Sequence, residues 1–342
     1  MVTPDLSVDL AGIKLRTPVM SASGCFASGK EASEFFDLRT MGAVVVKSMT
    51  VKPWSGKPSP RMAETPSGML NAIGLQNKGV DHFLAVDLPW LRRMRVPVIA
   101  SIAGNTLAEY QLVAQRLRGA QGVVGVEVNI SCPNLEDRNN MFAHDAKATA
   151  GVIAGVRRAL EIPVFAKLSP NVTSITEIAR AALDGGANGL SLVNTLVGMA
   201  IDVETRRPKL SGVIGGLSGP AIKPVAVRAV YDVAQAFPSV PIIGMGGIMD
   251  EIDALEFVLA GATAVALGTV VFVNPRAPAE IVEGLERYLL EHGIRSIAQL
   301  RGQVKVDAPP PAPTAPKSPA GAKSEKSELR PARLEFTGPR KL

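Results

Sequence analysis

Cysteine is scarce in this chain of 342 residues, with only Cys25 and Cys132. Neither sits in a CxxC or Cys/His spacing, so a zinc ribbon is excluded, and two thiols cannot build a disulfide framework. Nor can they supply the four thiolates of an iron–sulfur cluster. Histidine is almost as rare: His82, His144 and His292 are scattered, and no HExxH occurs. An early GxGxxG is missing, so direct dinucleotide binding is not expected. No apolar run approaches the ~20 residues of a membrane-spanning helix. The start, Met1-Val2-Thr3-Pro4-Asp5, has no basic or apolar leader pattern, so no signal peptide is expected. These absences point to a reducing, cytoplasmic setting.

Charge of one sign is also modest in the body. Residues 307–342 hold seven Lys or Arg and four Asp or Glu, so the tail carries +3 of the net +6. A body of only +3 argues against nucleic-acid binding.

What the sequence does have is alternation. Apolar, β-branched runs at 18–22, 43–48, 96–102, 123–130, 163–168, 189–193, 241–245 and 262–267 read as eight strands. Helical patterns fall at 107–117, 146–160, 175–183, 224–237, 249–259 and 278–290. Together they predict an α/β fold, a (β/α)8 TIM barrel over 1–306. Two β-to-α connections, 49–80 and 194–220, are long and are expected as loops over the C-terminal face, where barrels carry their sites. From Ala308-Pro309-Pro310-Pro311 onward, Pro, Ala, Lys, Glu and Ser dominate. The tail, 307–342, is expected to be disordered, because too few apolar residues remain for a core.

The strand ends carry the candidate chemistry. The first gives Ser23-Gly24-Cys25, a turn that a flat ring could approach. The second and fifth end in Lys47-Ser48 and Lys167, cations that are costly at the end of apolar runs unless they meet an anion or polar ligand. The fourth ends in Asn129-Ile130-Ser131-Cys132-Pro133-Asn134, a thiol bracketed by two amides. The sixth leads into Asn194-Thr195. The seventh and eighth give Gly246-Gly247 and Gly268-Thr269, where barrels commonly hold phosphate. Gly215-Gly216-Leu217-Ser218-Gly219 adds another glycine cluster. In the first long loop, Asn71-Ala72-Ile73-Gly74-Leu75-Gln76-Asn77 offers donors and acceptors for a planar, carboxylated ligand. A self-bonded Asn/Gly turn would read the same way.

In their length and order these segments resemble the class 1 dihydroorotate dehydrogenases, most closely class 1B, the catalytic subunit of the NAD-linked form. The likeness covers about residues 5–305. It rests on Ala22-Ser23-Gly24-Cys25-Phe26, the run from Glu64 to Asn77, Asn129 to Asn134, Lys167-Leu168-Ser169-Pro170-Asn171-Val172, the run from Gly215 to Pro224, and Gly244-Met245-Gly246-Gly247.

The resemblance implies an FMN-containing barrel that oxidises (S)-dihydroorotate to orotate in pyrimidine (UMP) synthesis. By it, Cys132 is the base at C5, and the C6 hydrogen passes as hydride to the flavin. It assigns FMN contacts to Ser23, Lys47, Ser48, Asn129, Lys167, Val193, Gly219, Gly246, Gly247, Gly268 and Thr269. Substrate contacts fall on Lys47, Asn71, Ala72, Ile73, Gly74, Leu75, Asn129, Asn194 and Thr195. It also implies a homodimeric core in a heterotetramer, with a partner subunit carrying FAD and 2Fe–2S that passes electrons to NAD. Metal is not expected in this chain. One departure stands out: the family usually carries Asn where this chain has Ser101, so flavin affinity or potential is expected to differ. A dihydrouracil-type flavin dehydrogenase and a non-redox phosphate-binding barrel are the competing readings.

Overall fold

A strand that is apolar on both faces must be covered on both, which a parallel sheet with crossover helices achieves. The computed structural model describes residues 3–130 and 144–306 and contains eight such strands. They are β1 (Val19–Ser21), β2 (Val44–Val45), β3 (Val98–Ile102), β4 (Val123–Asn129), β5 (Val164–Lys167), β6 (Gly189–Leu192), β7 (Ile242–Gly244) and β8 (Ala264–Leu267). Each lies within the run predicted for it. They pair in parallel in the order β1-β8-β7-β6-β5-β4-β3-β2. A parallel bridge between Met20 and Ala43 brings the two ends together, which gives the expected (β/α)8 barrel.

The crossover helices are α1 (Leu88–Met94), α2 (Leu107–Leu117), α3 (Ala146–Ala159), α4 (Ile175–Asp184), α5 (Lys223–Ala236), α6 (Glu251–Ala260) and α7 (Ala277–Glu291). Their starts are chemically marked. The Thr106 hydroxyl accepts from the Glu109 amide at 3.2 Å, and Asp145, Ser174 and Asp250 cap α3, α4 and α6 in the same way. Helix α2 buries Tyr110, Val113, Ala114 and Leu117, one face at helical spacing. Helix α1 lies outside the predicted helical patterns. Its Pro89 follows a π-helical turn, Phe83–Asp87, in a run that is already helical from Gly79.

The barrel's lower interior is filled by side chains. An antiparallel hairpin, Val8–Leu10 with Ile13–Leu15, packs Leu10, Ile13 and Leu15 against Met20, Val45, Ile99, Phe165 and Ile243. Phe165 is fully buried there. Gly189 faces it, and a Cβ at Gly189 would come within 2.8 Å of the Phe165 ring. The plug leaves only the opposite, C-terminal end open.

Over that end the structure corrects the expectation of two irregular loops. The long connections are built into one antiparallel sheet, ordered Leu196–Gly198, Gly215–Ser218, Gly68–Asn71, Met62–Thr65. These strands are short, and one of their three pairings joins residues about 145 positions apart, as in the Gly216–Asn71 pair. No local period announces such a pairing. Among the described residues no helix is long and apolar enough to cross a membrane. The chain divides into a compact unit, Met1–Val304, and a second unit, Lys305–Leu342, of which only Lys305 and Val306 are described. The tail from 307 and the catalytic Cys132 expectation lie outside the described residues.

Phe165→Ala is expected to lower the unfolding free energy by about 3–5 kcal/mol, because the rigid barrel floor cannot collapse into the space left. Urea unfolding with an unchanged m-value checks this; a loss below about 1 kcal/mol would show that the plug is not packed as described.

Candidate active site

All eight strands run in parallel, so every strand's C-terminal end opens at one mouth. A cavity of about 430 Å³ lies there. The expected residues from seven of the eight strand ends line it: Ser23 after β1, Lys47 and Ser48 after β2, Asn129 on β4 and Lys167 on β5. Val193, Asn194 and Thr195 follow β6, Gly246 and Gly247 follow β7, and Gly268 and Thr269 follow β8.

The floor is polar and tightly bonded. Lys167 Nζ donates to Ser23 Oγ at 3.1 Å and stands 3.7 Å from Glu127 Oε1. Ser101 Oγ donates to the same carboxylate oxygen at 3.1 Å and lies 2.9 Å from Ser48 Oγ. Asn129 Nδ2 donates to Ser48 Oγ at 3.0 Å, and the Tyr110 hydroxyl donates to the Asn129 carbonyl at 2.8 Å. Strand register explains this convergence. Ser101 is paired with Glu127 across β3 and β4, and Asn129 with Lys167 across β4 and β5. Period-two alternation then turns all four to the same, inner face.

One wall is made of backbone. Gly246, Gly247 and Gly219 all have positive φ, at 129°, 86° and 94°. A Cβ at Gly247 would lie 2.8 Å from the Gly219 carbonyl oxygen, so the two turns touch in a way that only glycine permits. Beside them, Thr269 Oγ1 donates to Ser218 Oγ at 2.8 Å. Opposite, a Cβ on Gly24 would stand 3.7 Å from Lys47 Nζ, so bare backbone and a cation face the cavity together.

The antiparallel sheet forms the lid and supplies the remaining expected residues. Asn71, Ile73, Gly74 and Leu75 line the cavity. Asn71 Nδ2 donates to the Gly216 carbonyl at 3.3 Å, which ties one long connection to the other. Asn77 turns inward on its own loop. Its Oδ1 accepts from the Thr50 and Gly79 amides, and its Nδ2 donates to the Leu75 carbonyl, so it shapes the turn and does not line the cavity. Ala72 differs from its neighbours. It is fully buried against Leu70 and Leu210 beneath the lid and does not line the cavity.

Several residues that matter here were not picked out as site residues from the sequence. Glu127 sits inside an apolar strand, with only its charge to mark it. Asn171 donates to the Thr195 carbonyl at 2.9 Å and accepts from the Val197 amide at 2.9 Å, latching the loop after β6 to the loop after β5. Met62, Met69 and Phe272 line the mouth, and only folding brings them together.

The arrangement suits a planar ligand that carries an anion. Bare glycine turns offer backbone N–H groups to an anion, Lys47 and Lys167 bring positive charge to the ring, and Asn71, Asn129 and Asn194 offer amide donors and acceptors to ring edges. Cys25 also lines the cavity, but burial raises its thiol pKa above the usual value, with Lys167 and Lys47 pulling the other way. A raised pKa keeps this thiol protonated at neutral pH and therefore unreactive. Among the described residues no group of three or more His, Cys, Asp or Glu is placed to hold a metal ion.

Iodoacetamide at pH 7 is expected to leave Cys25 unmodified in the folded protein and to label it fully after unfolding, as read by peptide mass spectrometry. Rapid labelling in the folded state would place the thiol in an ionising environment that this site does not provide.

A family model described as dihydroorotate dehydrogenase matches residues 5–289. The chain is 53% identical over 306 residues to a protein of Geotalea daltonii named dihydroorotate dehydrogenase B (NAD(+)), catalytic subunit, covering 90% of this chain and 100% of that one. Proteins of the same name from Geotalea uraniireducens and Geobacter sulfurreducens are 54% and 52% identical. The match to the first covers 88% of this chain and 99% of the relative; to the second, 90% and 100%. The barrel and its cavity thus come with a sequence match along nearly all of the described chain, and the protein belongs to the dihydroorotate dehydrogenase family.

Proposed function

We propose that this chain is the catalytic subunit of an NAD-linked class 1B enzyme, oxidising (S)-dihydroorotate to orotate in pyrimidine synthesis. The observation that carries this reading is the meeting of Lys47, Lys167, the paired glycine turns and three asparagines in one cavity at the barrel mouth.

FMN fits the donor set. Its phosphate belongs against the backbone N–H groups of Gly246, Gly247, Gly268 and Thr269, and at Gly246 and Gly247 an added Cβ would come within 2.8 Å of neighbouring atoms. Its ring system belongs beside Ser23, Ser48, Asn129, Val193 and Gly219, with Lys47 and Lys167 supplying positive charge. When bound, FMN supplies the acceptor for the C6 hydride. The chain's own residues do the rest. Asn71, Ile73, Gly74, Leu75, Asn194 and Thr195 hold the dihydropyrimidine ring and its carboxylate under the lid, joined by Lys47 and Asn129. The backbone of Ala72, set just behind them, holds that turn in place: its amide donates to the Arg61 carbonyl at 2.8 Å. Cys132, as a thiolate, takes the C5 proton.

On this reading the electrons leave through another chain, and with two cysteines this chain holds no cluster of its own to carry them. A partner carrying FAD and 2Fe–2S, reducing NAD, meets that need, and we place it with a homodimeric core of this chain in a cytoplasmic heterotetramer. The names of the relatives, each a catalytic subunit, support a partner. We assign the barrel to 1–306 and leave 307–342 outside it.

Anaerobic addition of L-dihydroorotate is expected to bleach a flavin band near ~450 nm, and Cys132→Ala to slow bleaching by about 10²–10⁴-fold, the usual contribution of a positioned base. A protein that holds FMN but is bleached only by dihydrouracil would move the substrate assignment to the related flavin dehydrogenases. A chain that binds no flavin would favour the non-redox barrel.

Gly247→Ala is expected to weaken FMN binding by about tenfold, the equivalent of one strained backbone contact, when apoprotein is titrated and followed by fluorescence quenching. Unchanged affinity would remove the phosphate from this turn.

A further inference from the structure

Beneath the cavity, Glu127 and Lys167 form an ion pair whose side chains are only 1% and 5% exposed. A carboxylate in so dry a place needs hydrogen bonds as well as a counter-charge. It has one from Ser101, and that bond has a consequence for the cavity.

As a carboxylate, Glu127 can only accept. Ser101 therefore spends its proton on Glu127, at 3.1 Å. The contact between the two serine oxygens, at 2.9 Å, must then be a donation from Ser48 to Ser101. Ser48 in turn accepts from Asn129 Nδ2 at 3.0 Å. Every hydrogen in the chain Asn129, Ser48, Ser101, Glu127 thus points down toward the buried charge. Ser48 lines the cavity with its proton already used, so it meets a ligand as an acceptor.

We propose that Glu127 is a positioning residue for the cofactor: it balances the Lys167 charge and, through Ser101, makes Ser48 an acceptor for a ring N–H. This rests on the flavin reading above. Glu127 lies below the cavity wall and touches no reacting atom. It sets how much positive charge the flavin senses from Lys167 and which edge of the ring Ser48 can recognise.

Two variants separate the two effects. Glu127→Gln keeps the shape, removes the charge and offers an amide that can donate to Ser101, which reverses the chain. The flavin midpoint potential is expected to rise, because an unbalanced Lys167 favours the electron-rich reduced ring. Glu127→Asp, which restores the charge, should bring the potential back toward wild type. Ser101→Ala leaves every charge in place and breaks the chain. It should hold the potential near wild type while FMN binds about fivefold more weakly, the loss of one hydrogen bond.

An unchanged potential in Glu127→Gln overturns the charge role. So does a shift in Ser101→Ala as large as that in Glu127→Gln, since that would report a disturbed floor and not a missing charge. Should Glu127→Gln fail to fold, Ser101→Ala decides the matter, and undiminished FMN affinity overturns the orienting role. A wild-type protein that binds no FMN sinks the flavin reading itself and leaves Glu127 a structural ion pair.

Discussion

Parallel strands that close into a barrel must all end on the same face. That constraint organises this molecule. It turns eight separate strand ends, spread over some 250 residues of chain, into one ring of side chains and turns. It also leaves the opposite end to be sealed, and the hairpin of Leu10, Ile13 and Leu15 with Phe165 seals it. With one end filled and helices packed around the outside, the mouth is the natural place for a cavity that can exclude water.

Within the mouth, polar groups at adjacent register positions meet at depth. Ser101 and Glu127 are paired across one strand boundary, Asn129 and Lys167 across the next. An isolated charge in such a position would be expensive. The cost is offset because cation, anion and hydroxyls arrive together, each supplying what its neighbour lacks. The same bonds that stabilise these groups also restrict their rotamers, so the floor is preorganised for a ligand.

The upper part of the site is less rigid in its logic. A four-stranded antiparallel sheet, assembled from two distant connections, stands over the barrel and carries Asn71, Ile73, Gly74 and Leu75. Its strands depend on glycines where chains approach closely. At Gly216, a Cβ would fall within 2.0 Å of the Thr195 hydroxyl. This close fit lets the lid bring amide groups over the cavity without the bulk of intervening side chains.

Much of this was readable without coordinates. Eight apolar runs and six helical patterns mark the barrel, since burial on both faces leaves a continuous apolar signal and one-sided burial leaves a period of 3.6. Strand-end lysines and glycine pairs mark the cavity face, because a cation or a bare turn has little other reason to close a buried strand. Glu127 was passed over: one carboxylate within an apolar run reads the same whether it is paired or exposed. Ala72 was included with its neighbours, although the alternation of the lid strand turns it away. The lid sheet itself was read as loops, since its strands are short and its central pairing joins residues about 145 positions apart. Local pattern, then, determined the elements and the kinds of group at their ends. Which groups touch, and which way their hydrogens point, was decided only by tertiary structure, because register and hydrogen-bond direction depend on partners that no local window contains.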